Sequence, residues 1–216
     1  MAKRDRGREN REAWGPWLEK LERLRAAAGA MGGPERVGRL MHSRGRLDAR
    51  QRIERLFDPG TFVEIGRLAG SGDAPADAFV CGMGRIDGRP VLAGVEDFSV
   101  LGGSIGSPGS AKRYRIAELA LQEGVPLVMM LEGAGHRLTD TGSGRAPNDL
   151  LAMADLSGHV PMVCIVMGAS AGHGALAAPL SDFVDQRVGR FNAIVTHGWP
   201  SNMFRFLRAR LRPTPR

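Results

Sequence analysis

One local pattern occurs twice in this sequence, with a spacing of 35 residues, and it constrains the fold more than any other feature. In each copy a helical segment precedes an apolar run, at 125–131 and at 160–167, and a glycine-rich turn follows. Continuous apolar runs of this length are typical of strands buried on both faces of a parallel sheet, which need helical crossovers. The repeat therefore predicts an α/β fold built as successive turns of one layered unit. Turns after parallel strands lie at the sheet edge where such folds bind their ligands.

The segment before the repeat predicts a hairpin and a further helix. Two strands, 79–86 and 89–95, flank Asp87-Gly88, a dipeptide that supplies the positive φ angles of a tight turn. A glycine-rich loop at 101–106 then leads into a helix at about 110–123.

The N-terminal part of the chain predicts a helical arm. We expect residues 1–12, which are mostly charged, to be disordered. Apolar residues at helical spacing after Pro16 predict an amphipathic helix of about two to three turns, which ends before Pro34. Asp48 is a good N-cap and predicts a second helix that extends to Phe57.

The net charge of +7 is unevenly distributed along the chain. It is +6 over residues 1–46, −5 over 47–184 and +6 over 185–216. The central region is acidic and the Arg-rich end lacks a known recognition motif, so the charge does not favour nucleic-acid binding. Neither a secretory pattern nor an apolar run of membrane-spanning length is found, and we expect a cytoplasmic protein without a membrane span.

Cysteine and histidine do not indicate a metal site. Cys81 and Cys164 each lie in an apolar run and are predicted to be small buried thiols. The five histidines show no metal-ligand spacing. His136 and His173 lie on the two turns of the repeat, where ligand contact and local packing are equally plausible roles.

The glycine-rich loops raise the hypothesis of nucleotide binding. The loop at 101–106 is followed by Ser110-Ala111-Lys112, but no Gly-Lys-Ser/Thr stands at Walker spacing. The hairpin segment 82–87 lacks the third glycine of a dinucleotide fingerprint and does not open a helix. Tight turns account for these glycines equally well, so the motif evidence for a nucleotide is weak.

The turn at 168–172, Gly-Ala-Ser-Ala-Gly, matches the nucleophile elbow of serine hydrolases and follows a predicted strand. A nucleophilic Ser170 needs a histidine base, and downstream only His173 and His197 are available. His197 lies 27 residues after Ser170, too few for the strands that normally carry the base and acid. Small residues for close packing are the simpler explanation, and a serine hydrolase stays an alternative function.

Another hypothesis needs only backbone groups. Glycine-rich turns at 132–136 and 168–174 follow predicted parallel strands, and the second opens a helix at Gly172-His173. Free N–H groups in such a position can stabilise a developing enolate or oxyanion. This chemistry requires small residues and no titratable side chain, which suits turns that are rich in glycine.

Short motifs occur in a fixed order along the chain. They are RGRL at 44–47, LFDPGTFVE at 56–64, GRIDGRPV at 84–91, DFSVLGGS at 97–104, EGAGHR at 132–137 and SAGHGALAAPLSDF at 170–183. This ordered set resembles the biotin-dependent acyl-CoA carboxyltransferase β subunits, which include propionyl-CoA, acetyl-CoA and methylcrotonyl-CoA carboxylases. Each motif is loose alone, but the set is specific, and the resemblance covers residues 17–184.

The resemblance implies an α/β, crotonase-like fold of repeated ββα units, incomplete and preceded by the helical arm. It implies carboxyl transfer from carboxybiotin to the α-carbon of an acyl-CoA substrate, with no tightly bound cofactor and no metal. Biotin would be carried by a partner protein. The implied partners are a biotin carboxylase or biotin carrier subunit, with either further copies of the chain or a separate C-terminal carboxyltransferase half.

The resemblance also implies site residues. The backbone N–H groups of Gly172 and His173 would form the oxyanion hole, and no side chain would be required as a base. Arg50, Arg52 and Lys112 are weaker candidates for ligands of the CoA phosphates. The residues that would shape the CoA site are Gly102, Gly103, Gly133, Ala134, Gly135 and Arg137.

The sequence departs from the family pattern in three places. The usual Gly-Gly of the oxyanion turn reads Gly172-His173, which keeps a backbone donor and narrows the pocket. The first turn reads Gly-Ala-Gly at 133–135. After residue 184 the family continues with an apolar strand and a second half, whereas residues 185–216 form an Arg-rich tail.

These observations divide the chain into a charged segment and helical arm (1–46), an incomplete carboxyltransferase N-terminal domain (47–184) and the tail (185–216). We expect the chain alone to lack a biotin site and to carboxylate no acyl-CoA. A frameshift or truncation in a GC-rich gene and a naturally short paralogue are two hypotheses for the tail. A CoA-binding or interaction protein without catalysis is a further alternative function.

Overall fold

A mixed β-sheet forms the centre of the chain. The computed structural model describes residues 6–70, 74–137 and 148–186, and within these ranges six strands lie in chain order across the sheet. The strands are β1 (Val63–Ile65), β2 (Phe79–Ile86), β3 (Arg89–Glu96), β4 (Leu127–Leu131), β5 (Met162–Val166) and β6 (Phe183–Gln186). β1, β2 and β3 pair antiparallel, and β3 to β6 pair parallel. Parallel strands with helical crossovers, predicted from the repeat, are confirmed.

The described residues form six helices, three of which contribute side chains to two apolar cores. They are α1 (Arg6–Gly29), α2 (Pro34–Leu40), α3 (Ala49–Leu56), α4 (Ser107–Glu123), α5 (Asp149–Ala154) and α6 (Gly172–Ala175), with 3-10 turns at His42–Arg44 and Leu101–Gly103. α4 and α5 contribute Ile116 and Met153 to one core, which also holds the buried thiols predicted for Cys81 and Cys164. α3 contributes Ile53 to the other core. β4 and β5 supply side chains to both cores, which explains why these strands are apolar throughout.

The β2–β3 connection is the predicted two-residue hairpin. Asp87 and Gly88 have φ angles of 50° and 76°, and Ile86 pairs directly with Arg89. Positive φ at both central residues is the signature of the type I′ turn, whose twist matches that of two antiparallel strands. The dipeptide therefore sets the register of two eight-residue strands.

The helical arm is more extensive than predicted. α1 begins at Arg6 and contains Pro16 in its interior, so the predicted disorder of residues 1–12 is wrong from residue 6 onward. Pro34, which was expected only to lie beyond the first helix, opens α2. A proline in the first turn loses no hydrogen bond, because that N–H has no partner within the helix.

β6 pairs with β5 as far as Gln186, two residues beyond the predicted domain boundary at 184. Residues 187–216 lie outside the described residues, so the division between domain and tail stays a prediction. Within the described ranges, no helix combines the length and apolar character needed to cross a membrane.

Asp48 is the predicted N-cap of α3, and the structure confirms it. One Asp48 oxygen accepts the N–H of Gln51 at 2.9 Å, and the Gln51 side chain accepts the N–H of Asp48 at 3.1 Å. His42 Nε2 lies 2.9 Å from the other Asp48 oxygen. Asp48→Ala should lower the free energy of unfolding, measured in urea, by about 1–2 kcal/mol. Asp48→Asn keeps a cap acceptor and should lower the free energy of unfolding clearly less than Asp48→Ala. An equal decrease in both variants would show that the contact with His42, and not the cap, provides the stability.

Candidate functional site

Three turns meet at one edge of the sheet, and each follows one of the adjacent parallel strands β3, β4 and β5. We call this set the turn edge; it comprises residues 97–106, 132–137 and 167–173. Ala134 N–H donates to Gly102 O at 3.0 Å, and Ala171 N–H donates to Gly133 O at 3.0 Å. These bonds join the first turn to the second and the second to the third, so the turns form one continuous backbone layer.

Glycine is required where neighbouring turns approach most closely. A Cβ on Gly103 would overlap the backbone oxygen of Glu132. Gly135 has a φ of +86°, and a Cβ there would lie 2.8 Å from Ala171 O. The predicted small residues therefore allow the close approach of one backbone to the next. The predicted site residues that the structure brings together here are Gly102, Gly103, Gly133, Ala134, Gly135, Gly172 and His173.

Gly172 and His173 carry backbone N–H groups at the accessible part of the turn edge. Gly172 is exposed and His173 is half-buried. α6 begins at Gly172, and its N-cap Ala171 provides no capping side chain. Among the described residues, no acceptor forms a hydrogen bond with either N–H. Both groups are therefore free to donate to a ligand, as the predicted oxyanion role requires.

The two histidines of the repeat turns lie side by side. The ring centroids of His136 and His173 are 5.9 Å apart. His136 is exposed, whereas the Nε2 of His173 lies 2.6 Å from the Oδ1 atom of Asp149, which is fully buried. The His173 side chain is therefore anchored in the interior.

A buried set of charges lies behind the turn edge. Arg113 Nε lies 2.7 Å from Asp149 Oδ2, and Arg113 Nη1 lies 3.1 Å from Glu96 Oε1. The other Glu96 oxygen accepts the N–H of Glu132 at 2.6 Å. The side chains of Glu96, Arg113 and Asp149 are each at most 1% exposed. With His173 they form the Arg113 network, which joins β3, α4, α5 and α6 to the second turn.

Ionisation within the Arg113 network is uneven. Burial works against the charged form of Asp149, but the charge and hydrogen bond of Arg113, together with the His173 hydrogen bond, hold the Asp149 pKa below its ordinary value. Burial raises the pKa of Glu96 to about 7, and the neighbouring Asp149 contributes to this increase. Near neutral pH the network therefore contains a charged Asp149 and a Glu96 that is partly protonated.

The raised pKa of Glu96 predicts an unusual pH dependence of stability. A carboxyl group whose pKa is higher in the folded than in the unfolded chain binds its proton more tightly when folded. Its contribution to the free energy of unfolding therefore decreases as the pH rises from about 4.5 to about 7 and is constant above that range. Glu96→Gln is neutral at every pH and should remove this decrease in urea denaturations performed across the range. Glu54→Gln, on the exposed side of α3, should keep the wild-type slope; the same slope in both variants would contradict the raised pKa.

Arg52 and Lys112 are buried, and their charges face protein groups. Arg52 is 1% exposed, and its Nη2 lies 2.5 Å from Glu132 Oε2. Lys112 is 4% exposed, and its Nζ donates to the backbone oxygens of Ala76 and Phe79. Burial lowers the Lys112 pKa. A phosphate in solvent cannot reach cations so placed, which corrects the prediction that these two residues bind CoA phosphates. Their contacts stabilise the interior instead.

The other two predicted cations, Arg50 and Arg137, differ in location. Arg50 Nη1 donates to Glu64 Oε2 at 3.0 Å and Nη2 donates to the α1 backbone, so Arg50 links α3 to β1 and α1. Arg137 ends the second turn, where its Nη2 lies 2.5 Å from Asp77 Oδ1 and 2.8 Å from Ser104 O. Arg137 is itself part of the turn edge, and its contact with CoA stays a prediction.

Sequence analysis did not single out Glu96, Arg113 or Asp149. Arg113 lies 17 residues from Glu96 and 36 from Asp149, and the three residues belong to different elements, so no local spacing groups them. The one available signal is a carboxylate at the end of an apolar strand, Glu96 after residues 91–95.

Ser170 has no base among the described residues. Its Oγ is buried and makes no hydrogen bond there, and the Nε2 of His173 is bound to Asp149 instead. His197, the second candidate base, lies outside the described residues. Within the part of the chain that the structure describes, the serine-hydrolase alternative therefore lacks the nucleophile–base contact that it requires.

Comparison with known sequences identifies relatives of one kind. The sequence model of a family described as "carboxyl transferase domain" matches residues 40–200. The chain is 36% identical over 181 residues to the methylmalonyl-CoA carboxyltransferase 12S subunit of Propionibacterium freudenreichii subsp. shermanii, covering 77% of this chain and 34% of that protein. It is 35% identical over 178 residues to the propionyl-CoA carboxylase beta chain of Cereibacter sphaeroides, with coverages of 77% and 35%. The chain thus spans about a third of the length of these relatives.

Comparison with solved structures gives the same answer for the fold. The transcarboxylase 12S crystal structure with methylmalonyl-coenzyme A and methylmalonic acid bound superimposes with a TM-score of 0.69 at 33% identity, covering 78% of this chain and 35% of that one. The beta subunit of P. aeruginosa geranyl-CoA carboxylase superimposes with a TM-score of 0.70 at 27% identity, with coverages of 82% and 35%. These neighbours confirm the α/β, crotonase-like fold that the sequence predicts.

Proposed function

The chain belongs to the carboxyl transferase domain family, and from this premise we propose that its turn edge binds the thioester of an acyl-CoA and stabilises the enolate that receives a carboxyl group. The observation that carries the proposal is the pair of backbone N–H groups at Gly172 and His173, which have no acceptor among the described residues and lie on an edge built from close-packed turns. The whole reaction, its substrate and its partners are part of the same proposal, because the chain matches about a third of its relatives' length.

The proposed role of these N–H groups follows from where charge develops. When the α-proton of an acyl thioester passes to a base, which would be the nitrogen of the partner-borne biotin after its carboxyl group has left, negative charge moves onto the carbonyl oxygen. Two fixed donors close to that oxygen stabilise the charge more than they stabilise the neutral thioester, so they lower the barrier to enolate formation. Gly172 and His173 would donate to this oxygen, and the exposed Gly172 leaves room for the thioester to approach.

The rest of the turn edge fits a long ligand that lies along it. Its accessible surface includes the small residues Ala134, Ala171 and Gly172, together with the larger side chains of Leu101 and His136. We propose that the pantetheine arm of CoA runs across the first two turns, over Gly102, Gly103, Gly133, Ala134 and Gly135. Arg137 lies at the end of the second turn, and its guanidinium would provide positive charge beside this path.

The titratable side chains behind the turn edge do not fit the role of a general base. The three carboxylates there, Glu96, Glu132 and Asp149, are each at most 1% exposed and are paired with arginine. Biotin on a partner protein would supply the carboxyl group when it is bound.

The proposed partners follow the family. One relative's crystal structure describes a hexamer that forms a multienzyme core. We propose that this chain likewise works in an assembly, with a biotin carrier or biotin carboxylase subunit and with either further copies of itself or a separate C-terminal carboxyltransferase half.

Isotope-edited infrared spectroscopy tests the proposal directly. Two ligands of the purified chain are compared: propionyl-CoA labelled with ¹³C at the carbonyl, and S-propyl-CoA, a thioether that lacks the carbonyl oxygen. We expect both to bind, and we expect the C=O stretch of bound propionyl-CoA to move to lower frequency, because two N–H donors polarise the bond. Binding without a frequency change would support a CoA-binding protein without catalysis, and absence of binding would contradict the proposal altogether.

Ser170→Ala distinguishes the carboxyltransferase proposal from serine hydrolysis. Because the Ser170 hydroxyl is buried without a hydrogen-bond partner among the described residues, its removal should leave the carbonyl frequency shift and the affinity for propionyl-CoA unchanged. A serine hydrolase would instead release propionate from propionyl-CoA, and this release would disappear in the variant. A thiol-release assay on wild type and variant measures the difference, and hydrolysis that depends on Ser170 would contradict the proposal.

A further inference from the structure

The backbone donors of the turn edge directly follow the bond from Ala171 N–H to Gly133 O, and α6 itself offers them little support. α6 is four residues long, and its N-cap Ala171 provides no side-chain acceptor. Gly172 has a φ of +57°, so the chain turns sharply just before His173. Short helices are not stable by themselves, and the position of the His173 N–H must therefore be set by contacts from other elements.

The first such contact is made by the His173 side chain. Its Nε2 lies 2.6 Å from Asp149 Oδ1, and this carboxylate is fully buried in the first turn of α5. Arg113 Nε holds the other oxygen of Asp149 at 2.7 Å, and Ser110 Oγ lies 3.2 Å from Oδ1. His173 is thus tied to a carboxylate that α4 fixes from two sides.

The second contact lies under the next residue of α6. A Cβ at Gly174 would be 2.5 Å from Glu96 Oε1, so this oxygen packs directly against the α6 backbone. The other Glu96 oxygen accepts the N–H of Glu132 at 2.6 Å. Glu132 is the first residue of the second turn. One network of buried charges therefore supports both α6 and the turn that faces it.

We propose that His173 is a positioning residue: its imidazole, held by Asp149, sets the distance between the His173 N–H and the second turn, and so places the donor for the thioester oxygen. This inference rests on the proposed function and adds a positioning role of the side chain to the backbone role that the resemblance implies for His173. The Nε2 of the imidazole contacts buried Asp149 while the side chain stays 27% exposed beside His136, and in this role the ring touches no ligand.

The test uses the full chain and the same two ligands, ¹³C-labelled propionyl-CoA and S-propyl-CoA. In His173→Ala the backbone N–H is still present, but its anchor is lost. We expect the variant to lose most of the carbonyl frequency shift while its affinity for S-propyl-CoA changes by less than about threefold, since the thioether makes no contact with the oxyanion site. His173→Gln, whose amide can donate to Asp149, should recover a large part of the shift.

His42→Ala is the matched control, because His42 forms a second histidine–aspartate contact, with Asp48 at 2.9 Å, at the N-terminus of α3. It should keep the wild-type shift. Should His173→Ala fail to fold, His173→Asn takes its place, since its shorter amide does not reach Asp149.

The outcomes separate the two proposals. A wild-type chain that binds propionyl-CoA without a frequency shift overturns the proposed function itself. A wild-type shift that persists unchanged in His173→Ala overturns the positioning role and leaves the proposed function standing. Equal loss of affinity for both ligands in His173→Ala, with no recovery in His173→Gln, also overturns the positioning role, because it shows a general structural effect.

Discussion

Replacement of Arg113 by methionine is expected to lower the free energy of unfolding by about 3–5 kcal/mol. Arg113 lies between Glu96 and Asp149, and all three side chains are at most 1% exposed. Without the guanidinium, two carboxylates remain in the interior with no cation between them, and the cost is the desolvation of charge that is no longer compensated. Domains of this size are stable by about 5–15 kcal/mol, so the loss should appear as a large decrease in the urea midpoint at pH 7.5.

Arg115→Met is the matched control for Arg113→Met. Arg115 lies on the same helix, pairs with Glu118, and has a side chain that is 49% exposed. Exposed pairs contribute at most about 1 kcal/mol, so this variant should unfold near the wild-type midpoint. The combination of Arg113→Met with Glu96→Gln should recover part of the loss, because one of the two stranded charges is removed. Equal midpoints for Arg113→Met and Arg115→Met would show that the Arg113 network does not stabilise the fold.

Gly135→Ala should abolish the carbonyl frequency shift of bound propionyl-CoA. The added Cβ would lie 2.8 Å from Ala171 O, the residue before the proposed donors. The contact is with backbone, so the third turn must move away from the second. Displacements of about 1 Å in a reacting geometry can cost about 100-fold in rate. We therefore expect carboxyl transfer in any assembly that contains this chain to fall by about that factor.

Gly124→Ala controls for backbone strain in this experiment. Gly124 and Gly135 both have positive φ, +63° and +86°, but a Cβ on Gly124 meets nothing within 4 Å. Both variants should lose about 1–2 kcal/mol of stability from the left-handed conformation, and only Gly135→Ala should lose the spectroscopic signal. A normal frequency shift in Gly135→Ala would mean that the spacing of the second and third turns does not determine the site.

The features that sequence analysis predicted correctly are those that local patterns encode. The Asp87-Gly88 turn, the Asp48 cap and the repeated apolar strands each depend on residues close together in the chain. The glycines of the turn edge could be located because each follows a buried strand, and parallel strands bring such turns to one edge.

The features that were missed depend on which way a charged side chain faces. Arg52 and Lys112 could be counted as cations in the sequence, but nothing local shows that both lie in the interior against protein acceptors. The Arg113 network was missed for a similar reason: its members come from separate elements and meet only when the sheet and helices have assembled.

The hydrogen bonds between successive turns have a geometric consequence for any ligand. Each turn continues one strand, and neighbouring strands in a sheet lie about 4.8 Å apart. The points at which the turn edge can contact a ligand are therefore repeated at the spacing of the strands. A molecule that lies across the three turns spans a whole number of strand spacings. One further contact point along the turn edge would require one more copy of the 35-residue unit.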